Sequence, residues 1–123
     1  MEKFNEKAFR KAKKIIKDVL RRLYGDGFLT VLGFHIRKEL KSYDEDLVKL
    51  LIENPRRIYD ALKPLYGGEE SLDSFLTVTI LAVNEMIGHV MAPKKVVEAM
   101  KKNDKEIVSR YVKFLVWRYE KYR

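Results

Sequence analysis

The chain has 123 residues, 46% of them hydrophobic, 36% charged, and a formal net charge of +8. That length and apolar content suit one domain with an ordinary core and exclude intrinsic disorder. No cysteine is present, which excludes disulfides, thiolate nucleophiles and zinc ribbons together.

The charge is unevenly placed. Residues 1–22 hold nine basic against three acidic side chains (+6), residues 93–123 ten against four (+6), and the stretch between is acidic (−4). There is no glutamine and there are only four asparagines, while Lys and Glu abound. This is the bias of thermophile proteins. No apolar run is long enough for a membrane span. "MEKFNEKAFRKAKK" is charged from its second residue and has no apolar signal core, so a soluble cytoplasmic protein without membrane contact is expected.

Helical spacing runs through nearly the whole chain and strand alternation is nowhere clear. The first helix is expected from about Lys3 to Tyr24, with Phe4, Ala8, Ala12, Ile15, Ile16, Val19, Leu20 and Leu23 as its apolar stripe. Gly25 ends it, since glycine takes the left-handed conformation that a helix terminator needs. A second helix is expected from near Phe28 to Leu40. Ser42 with Glu45 reads as a capping box for a short helix ending at Glu53. Asn54-Pro55 starts the next one. It reaches Gly67, with Pro64 expected to distort its last turn. Ser71 or Ser74 caps a long helix over "FLTVTILAVNEMIGHVM". Pro93 starts another, and Asn103 with Glu106 forms a second capping box before the final helix.

Two of these helix ends are nearly the same string. "IKDVLRRLYG" from Ile16 and "IYDALKPLYG" from Ile58 share Ile16/Ile58, Asp18/Asp60, Leu20/Leu62, Leu23/Leu65, Tyr24/Tyr66 and Gly25/Gly67, and each is followed by "FLTV". The spacing predicts an all-α bundle of six or seven helices in one domain. Quasi-repeat 1 covers about 3–53, quasi-repeat 2 about 54–102, and a closing helix about 104–122. Over about residues 16–90, "NPRRIYDALKPLYGG" followed by a long apolar helix resembles small archaeal helical domains of unknown function, some described as signal-output modules. The resemblance implies a regulatory or adaptor role and brings no catalytic residues with it.

Nothing in the chain has the spacing of a catalytic apparatus. The serines at 42, 71 and 74 have helix-capping work, neither histidine sits in a triad context, and "YGDG" and "YGGEE" lack a phosphate loop's lysine. His35 with Glu39 and Glu85 with His89 are four apart, which puts each pair on one helix face. They are not repeat-equivalent, however, and no metal or cofactor is expected. Asp18 is expected to pair with Arg22 on the surface rather than act as an acid.

Two surfaces are candidates for binding. Lys3, Lys7, Arg10, Lys14, Lys17 and Arg21 form one stripe of the first helix, widened by Lys11, Lys13 and Arg22. With Arg110, Lys113 and Lys121 they make a nucleic-acid surface the alternative. The final helix mixes aromatic and basic residues and is apolar nearly all round, so self-association or a protein partner is the preferred expectation. Its interface residues would be Tyr111, Phe114, Trp117, Tyr119 and Tyr122.

Overall fold

The computed structural model describes residues 5–41 and 46–122, apart from the side chain of Tyr122. Seven helices follow one another: α1 Glu6–Tyr24, α2 Asp26–Leu40, α3 Leu47–Glu53, α4 Pro55–Tyr66, α5 Glu69–Ile87, α6 Pro93–Lys101 and α7 Lys105–Tyr122. Among the described residues there is no strand, and no helix is long and apolar enough to cross a membrane. The all-helical bundle is therefore as the spacing predicts.

The helix ends show where local chemistry prevails and where it is overruled. Asn5 caps α1, accepting from the Ala8 N–H at 2.8 Å. Helix α1 thus begins at Glu6, and Lys3 lies outside the described residues. Gly25 has positive φ with extended ψ (87°, 169°) rather than the left-handed helical conformation expected of it. It is a one-residue corner, and α2 starts at once at Asp26, earlier than Phe28. Gly67 does adopt the left-handed terminator (79°, 14°). Pro64 leaves α4 continuous through Tyr66. Helix α5 starts at Glu69, with Gly68 at its N-cap, so Ser71 and Ser74 are exposed residues inside the helix. It stops at Ile87 because Gly88 turns the chain at φ 89°.

Two of the expected caps are replaced. Asp46, not Ser42, caps α3, accepting from Val48 and Lys49 at 3.1 and 3.2 Å. The Ser42–Glu45 box itself falls outside the described residues. Asp104 rather than Asn103 caps α7, accepting from the Ile107 N–H at 3.2 Å.

Helix α4 lies at the centre, in contact with α2, α3, α5 and α6. Its Tyr59 is fully buried, as is Leu72 of α5, and both join Ile58, Leu62, Val97 and Val108 in the main core. A second cluster, Ile15, Val19, Val83, Ile87, Leu115 and Tyr119, joins α1, α5 and α7. Part of the helix packing parallels the doubled string, although the extensive α5–α6 contact has no α2–α3 counterpart of similar extent. The pairings α1–α2, α1–α3, α3–α4 and α2–α4 recur three helices later as α4–α5, α4–α6, α6–α7 and α5–α7.

Candidate functional site

The two copies of the doubled motif meet in space. Tyr24 and Phe28 from the first copy and Tyr66 and Phe75 from the second form one aromatic cluster. Ring centroids are 4.6 Å apart for Tyr24–Phe28, 5.9 Å for Phe28–Phe75 and 4.3 Å for the stacked Tyr66–Phe75 pair. The Tyr24 and Thr79 hydroxyls are 2.5 Å apart, tying the end of α1 to α5. Burial first, and the neighbouring Tyr24 second, push the Tyr66 phenol up to about 12.

Behind this cluster the seven helices enclose an open cavity of about 510 Å³. Every helix contributes to its wall, and the wall is overwhelmingly apolar. Helix α2 lines one side with Phe28, Leu29, Leu32, Gly33 and Ile36, while packing mainly on α1 and α4. The charged side chains of the lining are Lys13, Lys17, Arg21, Asp26 and Arg37. Nothing in the sequence pointed here, because the volume depends on how far apart the helices stand.

The outer faces of α2 and α5 are apolar at equivalent positions. Val31 and Val78 are each 60% exposed, Phe34 59% and Leu81 51%. The next equivalent position is charged on each helix, Lys38 on α2 and Glu85 on α5, both exposed and neither ion-paired among the described residues.

The aromatic set expected on α7 divides. Tyr111 and Tyr119 face inward and are buried in the core, so neither is a surface anchor. Their helix packs on four others and needs its apolar residues for those contacts. Burial pushes the Tyr111 phenol well up. Phe114 and Trp117 do stand in solvent, with Arg118 and Lys121 over the indole at 5.7 and 5.0 Å. The side chain of Tyr122 lies outside the described residues.

Lys7, Arg10, Lys14 and Lys17 are exposed along α1 with no carboxylate partner among the described residues. Arg21 is bound to Asp26 at 2.6 Å, and Arg110 to Glu106 at 3.2 Å. Lys113 and Lys121 also have partners. Lys11 meets Glu120 at 2.7 Å, bringing α1 and α7 together.

Several other titratable groups form structural ties. Asp18 pairs with Arg22 at 3.4 Å, as expected, and its counterpart Asp60 pairs with Arg56 and Lys63. Tyr59 donates to Asp73 at 2.6 Å, and Lys101 reaches Asp73 and Glu69 at 3.0 and 2.9 Å, linking α4, α5 and α6. Burial alone would raise the Asp73 pKa, but the hydrogen bonds from Tyr59 and Lys101 outweigh it and hold the carboxyl below its usual range. His89 lies beyond the end of α5, so it shares no helical face with Glu85. His35 and Glu39 both lie on α2. No group of three or more metal-ligating side chains gathers among the described residues. Comparison of the chain with protein-family models, with curated proteins and with solved structures finds no match.

Proposed function

We propose that this chain is a non-catalytic helical binding module that acts through protein contacts, the first of them with a second copy of itself. The observation that carries the reading is the pair of matched outer faces: Val31 and Phe34 on α2, Val78 and Leu81 on α5. Covering such side chains is worth up to about 1.5–3 kcal/mol each. Exposed apolar faces of this kind accompany interaction sites. If α2 of one copy lies parallel to α5 of another in matching register, Lys38 comes opposite Glu85, a pairing of opposite charge. Elsewhere the net charge of +8 opposes assembly. The recurring helix contacts and the shared aromatic cluster support reading 54–102 as an internal duplicate of 3–53.

Sedimentation across a range of protein concentrations tests the association. The wild type should dimerise, Phe34→Asp should be monomeric, and Lys38→Glu should weaken the dimer until Glu85→Lys is added. A wild type that stays monomeric removes the reading. Dissociation by Trp117→Ala but not by Phe34→Asp moves the interface to α7.

The α1 stripe favours a second reading, nucleic-acid binding. Its support is the run of four cations, Lys7, Arg10, Lys14 and Lys17, on one helix, none with a carboxylate partner among the described residues.

A further inference from the structure

The cavity is larger than a packing defect and has the size of a ligand site, for which about 300–1,000 Å³ is usual. Its polar interior groups are already satisfied. The Thr79 hydroxyl is taken by Tyr24, and the Tyr111 hydroxyl donates to Asn84 at 3.4 Å. The walls therefore ask for hydrocarbon. A methylene takes up roughly the volume of a liquid water, ~30 Å³, so a chain of about twelve to sixteen carbons fits.

The charged lining asks for something else. Asp26 is neutralised by Arg21 at 2.6 Å. Lys13, Lys17 and Arg37 line the same space without an ion pair among the described residues. Arg37 is half-buried and folds back over Gly33 on its own helix, with Nη1 2.9 Å from where a β-carbon would stand. Glycine leaves that room, and the guanidinium it admits lines a largely apolar wall with no anion beside it among the described residues. A half-desolvated guanidinium is the group best suited to a planar carboxylate.

We infer that the cavity binds a long-chain carboxylate. The hydrocarbon tail lies between α2 and the core residues Leu62, Leu76 and Met100. The carboxylate sits at Arg37, with Lys13 and Lys17 beside it.

Calorimetric titration with hexadecanoate, hexadecan-1-ol and hexanoate, below their aggregation limits, tests this. Hexadecanoate should bind once per chain, about ten-fold or more tighter than the alcohol, the margin of a charge-assisted hydrogen bond. Hexanoate should bind much more weakly than either. Arg37→Gln should reduce hexadecanoate to the level of the alcohol and leave the alcohol unchanged. Leu32→Trp should fill the space and abolish both. Leu29→Trp serves the same purpose if circular dichroism shows that Leu32→Trp does not fold. Trp117 is not part of the lining, so 2-bromohexadecanoate should bind without quenching its fluorescence. Equal binding of acid and alcohol overturns the carboxylate assignment. Absence of binding by both, or binding that quenches Trp117, overturns the cavity as the site.

Discussion

The side-chain oxygen of Asn103 accepts a hydrogen bond from the backbone N–H of Arg56 at 3.1 Å, across 47 positions of sequence. The Arg56 guanidinium reaches back to the Lys101 carbonyl at 2.5 Å. The corner between α6 and α7 thus closes over the start of α4, where Asn54 makes no side-chain cap of its own. Asn103 is also left-handed, with φ 57°. Asn103→Gly keeps that backbone and loses only the cap, about 0.5–2 kcal/mol. Asn103→Ala should cost about 1–2 kcal/mol more, because alanine pays for the left-handed conformation. Midpoints of guanidinium unfolding at unchanged slope measure both.

The Tyr24–Thr79 hydrogen bond joins the two copies of the doubled motif. Tyr24→Phe and Thr79→Val should each cost about 0.5–1.5 kcal/mol. The double variant should cost less than their sum, by about 0.5–1 kcal/mol in a double-mutant cycle. Strict additivity would mean that the hydroxyls do not interact.

Stability should fall in alkali. The Tyr66 phenol is pushed up to about 12, and burial drives Tyr59 and Tyr111 upward too. An unfolded tyrosine ionises near pH ~10. The fold therefore holds protons that the unfolded chain releases, and the stability this gives is complete below that pH and is lost as pH rises through the folded values. Urea unfolding at about pH 9 and about pH 11 should show the drop. In Tyr24→Phe, absorbance titration should find Tyr66 ionising at lower pH than in the wild type.

If the α1 stripe touches a phosphate backbone, binding to duplex or single-stranded nucleic acid should weaken steeply with salt. Each removed contact lowers the slope by about one. The triple change of Lys7, Lys14 and Lys17 to Glu should abolish binding. Failure of the wild type to bind even at low salt would exclude this partner.

The helices were legible because their punctuation is local. Pro55, Pro93 and Gly67 act through φ and a missing N–H, and each stands at the boundary that its chemistry requires. Caps were less legible wherever a tertiary partner intervened. Asn103 looked like the cap of the helix after it but serves α4, and Asp104 takes over at α7. Ser71 and Ser74 lost their role because Gly68 opens α5 earlier. The spacing lets Tyr111 face the core, and it does, which removes it from the interface set; Tyr119, placed in that set by residue type alone, is buried where α1 and α5 close over α7. The basic stripe was readable from spacing, but which cations lack partners was not, since Arg21 finds Asp26 only across the Gly25 corner. The Arg37 pocket had no sequence signal, being a product of distance between helices.

The closure of α4 by Asn103 has a consequence for synthesis. As the chain leaves the ribosome, the central helix emerges well before the residue that caps its start. Until that residue arrives, α4 lacks its cap, and α7, which brings Val108, Tyr111 and Val112 to the main core, has yet to be made, so the core of the bundle is incomplete. Acquisition of structure should be abrupt and late in translation rather than gradual, and a nascent chain stalled before residue 103 should remain open to proteases.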